Sequence, residues 1–163
     1  MISSLAAAAI GLGACQQAGA PVALAEPPPE TASSGFEYGL HYLDFGDRAR
    51  LAYGVANSDA VRLMLECDKG SGTLEVSDTA PSGQARLLFA SGGQESEVAG
   101  TIEPGVTAPI IMASTQAGHA AFDAFRRTGT LKVGHGDEGY EIRAAADERP
   151  QVERFFATCA SVS

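Results

Sequence analysis

At 163 residues, with 45% hydrophobic and 19% charged side chains, the chain has the make-up of one folded domain with one core, which excludes a disordered polymer. Twenty acidic against 11 basic groups give a net charge of −9, and no Lys/Arg run exceeds Arg126-Arg127, which excludes nucleic acid as a ligand and favours a cationic partner. Nineteen glycines and no tryptophan indicate a turn-rich fold with much β-structure.

The chain opens without charged side chains; the first is Glu26. Leu5 to Ala14 reads LAAAAIGLGA, the length and apolar character of a signal-peptide h-region and too short to span a bilayer. Leu12-Gly13-Ala14-Cys15 ends it with a branched apolar residue, two small residues and a cysteine. This resembles the lipobox of bacterial lipoproteins. The resemblance implies a signal peptide over 1–14, lipidation of Cys15 and attachment to a membrane through the acyl chains. Gln16 stands where aspartate retains many such proteins in the inner membrane, so the resemblance implies the outer membrane, facing the periplasm. The alternative is a secretory leader cut at Ala23-Leu24-Ala25, giving a soluble periplasmic protein. Residues 16–34, QQAGAPVALAEPPPETASS, carry four prolines and no sustained periodicity, so 15–34 reads as the lipidated cysteine and a Pro-rich tether.

From Gly35 the pattern changes, and 35–163 reads as a globular β-rich domain. Glu37, His41, Asp44 and Asp47 alternate with Phe36, Tyr38, Tyr42, Leu43 and Phe45, the pattern of a strand or turn packing its aromatics. Val61, Leu63, Leu65 and Cys67 fall on one face of a period-2 run, with Arg62, Met64 and Glu66 on the other. Similar runs follow at 73–78, 84–91, 95–102 and 109–113, separated by Gly- and Pro-containing breaks, and their even spacing predicts an antiparallel meander. Residues 116–127 place Ala121, Phe122 and Phe125 on one side and close at Gly129, which predicts a short helix with a glycine stop. Residues 131–133 and 140–144 predict a hairpin around Gly134–Gly139. Val152, Phe155, Phe156 and Cys159 fall at i, i+3, i+4 and i+7 behind Pro150, which predicts a terminal amphipathic helix. The expected fold class is α+β: mainly an antiparallel β meander, as a sandwich or open barrel, with two short helices.

Assigning Cys15 to lipid leaves Cys67 and Cys159, each on the apolar face of its element. A disulfide between them would staple the last helix to the sheet, as expected of an exported domain. Two buried thiols or a metal site are the competing readings, although no CxxC or His-rich spacing marks a metal.

His135, Asp137 and Glu138 share a Gly-rich segment that reads either as an acid/base or metal cluster or, favoured here, as an exposed hairpin tip. No G-x-S-x-G elbow or phosphate-cradling loop is present, so neither a cofactor nor a catalytic residue is implied. The stretches FDAFRRTGTLKV (122–133) and FFATC (155–159) look like the closing pattern of the invasion-associated locus B and type VI secretion accessory families. That resemblance implies a small disulfide-stapled envelope domain. In outline the chain is also similar to membrane-bound inhibitors of c-type lysozyme, whose loop is partly echoed by Ser82-Gly83-Gln84-Ala85-Arg86. The expectation is a non-enzymatic envelope domain that binds a protein or glycan, with Asp137, Glu138, His135, Ser82 and Arg86 as candidate surface residues on an acidic face away from the staple. Lysozyme inhibition is the first alternative, and an envelope hydrolase with a triad assembled from distant residues is the second.

Overall fold

The structure is a computed structural model and describes residues 37–80 and 83–160. Cys15, the leader, the tether and Ser82 lie outside the described residues. Nine strands form one antiparallel sheet: β1 (Tyr38–Phe45), β2 (Arg48–Val55), β3 (Val61–Asp68), β4 (Thr73–Thr79), β5 (Arg86–Ser91), β6 (Gln94–Glu103), β7 (Ile110–Gln116), β8 (Thr130–His135) and β9 (Glu138–Arg143). The described residues also form two helices, α1 (Ala120–Thr128) and α2 (Arg149–Cys159). The fold is α+β, with the sheet curled into a half-barrel.

The strand order is β1-β2-β3-β4-β7-β6-β5-β8-β9. The expected meander therefore exists as two blocks: β1 to β4 run in sequence, and β5-β6-β7 is inserted in reverse, so that β4 pairs with β7 and β5 with β8. Strand β2 is an element the sequence pattern did not mark. Its inward positions, Ala49 and Leu51, are 0% and 1% exposed, yet Ala49 is too small to stand out in a hydrophobicity pattern.

One face of the curl carries the core. Leu63, Leu65 and Cys67 alternate with partly exposed neighbours as expected, and Leu74, Val76, Leu87, Phe89, Leu131 and Val133 repeat the period on other strands. Both helices lie on this face, α1 against β5, β6 and β8 and α2 against β1 and β2. Phe122 connects them, its ring centroid 4.9 Å from Phe89 and 5.7 Å from Phe156. Full burial of such a ring stabilises by about 2–3 kcal/mol. Helix α1 stops where expected, at Gly129, whose φ of 74° suits a left-handed cap and whose N–H donates to the Phe125 carbonyl.

Three ties close the curl. The Cys67–Cys159 disulfide joins β3 to α2 with Cα atoms 5.7 Å apart. Beside it the β3–β4 turn caps the helix: Gly70 N–H donates to the Thr158 carbonyl at 3.0 Å and Gly72 N–H to that of Cys159 at 2.8 Å. These are carbonyls with no partner inside the helix. Along the β1 edge, Glu148 Oε1 accepts from Leu40 N–H and its Oε2 accepts from Ala145 N–H just beyond β9, each at 2.8 Å. Gln151 Oε1 accepts from Tyr42 N–H at 2.9 Å. An edge strand that would otherwise offer free N–H groups to another chain is thus covered by α2. The third tie is the polar cluster described next.

Candidate functional site

The described end of the sheet farthest from the disulfide holds a buried polar cluster. Leu74, Val76 and Asp78 share the inward phase of β4, so the strand's alternation carries a carboxylate into the core, where Asp78 is 2% exposed. On β8 the same inward phase runs Leu131, Val133, His135, and on β9 Tyr140 and Ile142 point inward. His135 Nε2 lies 3.0 Å from Asp78 Oδ2, and the Tyr140 hydroxyl donates to the same oxygen at 2.5 Å. Strand β4 thereby touches β8 and β9 across the curl, although three strands stand between β4 and β8 in the sheet.

Burial pushes Asp78 above the ordinary carboxylate range, against the opposing pull of Tyr140 and His135. Burial also pushes Tyr140 up, reinforced by the Asp78 charge, so the phenol stays protonated and donates. An ionised Asp78 can accept both from the Tyr140 hydroxyl and from a proton on His135 Nε2. Nδ1 is buried and has no hydrogen-bond partner among the described residues. The Tyr140 ring stacks on Tyr53 with centroids 6.3 Å apart, and Tyr53 packs on Tyr38 at 5.5 Å.

A β-bulge completes this end. Tyr53 pairs with Leu63 and Gly54 with Val61, so Arg62 is the extra residue. Two sequence expectations change as a result. Val61 leaves the inward face and is 38% exposed, while Arg62 leaves the outward face and lays its guanidinium 3.7 Å from the Tyr140 ring centroid.

His135 is likewise corrected: it is 3% exposed and paired to Asp78, and it shares no surface with Asp137 and Glu138, which are exposed. A tight turn at Gly136, φ 63°, lets the chain reverse directly after the buried histidine. Arg86 is exposed and paired to Glu97 at 2.5 Å. His41 Nε2 lies 3.3 Å from the Gly54 carbonyl oxygen on β2.

The parts of a serine–histidine–carboxylate triad occur in two places. His119 Nδ1 meets the buried Ser96 Oγ at 2.7 Å, and that oxygen also accepts from Ala121 N–H at 3.3 Å in the first turn of α1. It serves there as a helix cap supplied from another strand. Among the described residues, His135 is paired with a carboxylate and not with a serine, and His119 with a serine and not with a carboxylate. Among the described residues no group of three or more His, Cys, Asp or Glu is placed to hold a metal ion, and no helix is long and apolar enough to cross a membrane.

Asp78, Tyr140 and Arg62 were not singled out from the sequence. For the first two a signal existed: each is a polar residue in the inward phase of a buried strand. Compared with protein-family models, curated proteins and solved structures, the chain matches none.

Proposed function

We propose that the protein is a cell-envelope lipoprotein whose half-barrel is a non-enzymatic binding or accessory domain, held near a membrane by acyl chains on Cys15. The observation that carries this reading is the buried Cys67–Cys159 bridge, because disulfides between core positions belong to oxidising compartments. It leaves Cys15 as the cysteine available for lipid, at the end of an apolar leader. A partner, protein or glycan, is drawn to exposed carboxylates in loops and at strand termini at the end away from the bridge, where Glu37, Glu103, Asp137 and Glu138 form no ion pair among the described residues. Such a surface recruits a cationic partner in a salt-sensitive manner.

Radiolabelled palmitate fed to cells expressing the full chain tests the address: label is expected in the native protein and absent from Cys15→Ala. Label-free native protein, or label surviving in the variant, overturns the anchor. Crosslinking and recovery from envelopes at low and high salt tests the binding, with a specific partner expected to fade as salt rises.

A further inference from the structure

Of the five arginines on strands, Arg48, Arg50, Arg86 and Arg143 each pair with a carboxylate, and Arg62 alone has no ion pair among the described residues. That is unexpected in a chain with 20 acidic groups. The bulge aims it, and the Tyr140 ring occupies one face of its guanidinium. A guanidinium stacked by its face keeps its in-plane N–H groups free, and these donate in a fork that matches a carboxylate.

Arg62 lines a groove of about 450 Å³ beside the bulge, whose apolar lining is Leu43, Ala52, Val61, Met64 and Ile110. A second groove of about 600 Å³ adjoins it, sharing Leu43, Ala52, Ser58, Asp59 and Val61. Both volumes fall in the range of small-ligand sites. The β2–β3 turn forms one wall and is packed closely on β2: a Cβ on Gly54 would lie 2.6 Å from the Ala60 carbonyl oxygen. That turn presents Asp59, exposed and also without an ion pair among the described residues. Asp78 borders the groove too, but its carboxylate is committed to His135 and Tyr140.

One unpaired cation, one unpaired anion and an apolar lining are the complement of a zwitterion with an apolar body. We propose that this groove binds such a ligand, an apolar α-amino acid being the smallest of its class. The ligand carboxylate meets Arg62, its ammonium meets Asp59, and its side chain lies on Leu43, Val61 and Met64. The site goes beyond the anchored binding role and does not depend on lipidation.

The test titrates the full chain with leucine, methionine and phenylalanine, and with 4-methylpentanoate, which is leucine without its ammonium group. Binding is read by calorimetry and by NMR shifts around residues 55–64. Saturable binding of at least one amino acid below about 10 mM is expected, with 4-methylpentanoate at least about tenfold weaker than leucine. Asp59→Asn, on an exposed turn, is expected to abolish that difference by weakening leucine alone. Arg62→Gln is expected to weaken leucine and 4-methylpentanoate alike by about tenfold or more, with Arg62→Lys intermediate. Thermal unfolding of each variant distinguishes lost binding from lost fold. No saturation by any of the three amino acids, equal binding of leucine and its deaminated analogue, or leucine binding unchanged in both Asp59→Asn and Arg62→Gln overturns the proposal.

Discussion

The two ends of the half-barrel are closed by different chemistry. At one, a covalent bridge between Cys67 and Cys159 is reinforced by backbone hydrogen bonds from Gly70 and Gly72, and the charges nearby sit on the surface. At the other, closure across the curl rests on one buried carboxylate accepting from His135 and Tyr140. A crosslink acts mainly by restricting the unfolded chain, whatever surrounds it in the fold. A buried carboxylate acts only while its partners are in place, and its desolvation offsets much of what its hydrogen bonds contribute. The first end is built for persistence and the second for a defined geometry of Tyr140 and, above it, Arg62.

Breaking the bridge is expected to have the largest effect. The Cys67→Ala, Cys159→Ala double variant removes a crosslink spanning 92 residues and is expected to lose about 4 kcal/mol, read as a lower urea midpoint. Reductant should have little further effect on it. At the other end, Asp78→Ala leaves the His135 Nε2–H and the Tyr140 hydroxyl without their acceptor. A loss of about 2–3 kcal/mol is expected, and about 1 kcal/mol for Tyr140→Phe, which removes only one donor. Equal losses for the two Asp78-end variants would show that the hydrogen bonds to Asp78 are not what closes that end.

Glu148 offers a milder test between the two, because its carboxylate joins β1 to the chain just past β9 without being deeply buried. Glu148→Ala is expected to cost about 1 kcal/mol and to raise hydrogen exchange at the Leu40 and Ala145 amides together. Exchange rising at only one amide would mean that the carboxylate does not act as a bridge.

The disulfide end was legible in the sequence and the other end was not, for a physical reason. Cys67 and Cys159 lie in local patterns, a period-2 strand and an i, i+3, i+4, i+7 helix, and with Cys15 set aside they had only each other as partners. Helix α1, with its stop at Gly129, was visible in the same way. The Asp78 cluster depends on pairings that local patterns do not encode: β4 meets β8 and β9 only because the sheet curls and the β5–β7 block is inserted in reverse. His135 looked like a hairpin-tip residue because Gly134, Gly136 and Gly139 surround it, while its phase with Leu131 and Val133 carried the opposite and correct message. The bulge at Tyr53–Gly54 is invisible to alternation, since one added residue moves Val61 and Arg62 off the faces that counting assigns them.

The smallest expected effect is a pH dependence of opposite sign at the two ends. Near the bridge, exposed Asp44 is held below its ordinary range, first by its hydrogen bond with Lys69. Its contribution is present above the unfolded value of 3.8 and fades as pH falls through the lowered folded value. Asp78 behaves the other way. Burial raises its folded value, so its contribution is complete below 3.8 and is lost as pH rises through that raised value. Asp78→Asn removes this titration while keeping a carbonyl oxygen to accept from one neighbour. Measured against the native chain by urea unfolding at about pH 4 and about pH 7, the variant is expected to improve relative to the native protein at the higher pH. Asp44→Asn is expected to lose ground over the same interval, by less, because solvent screens its pair with Lys69. A stability difference for Asp78→Asn that stays flat, or that falls with pH, would mean that hydrogen bonds from His135 and Tyr140 outweigh the desolvation of the carboxylate, and the two ends would then titrate alike.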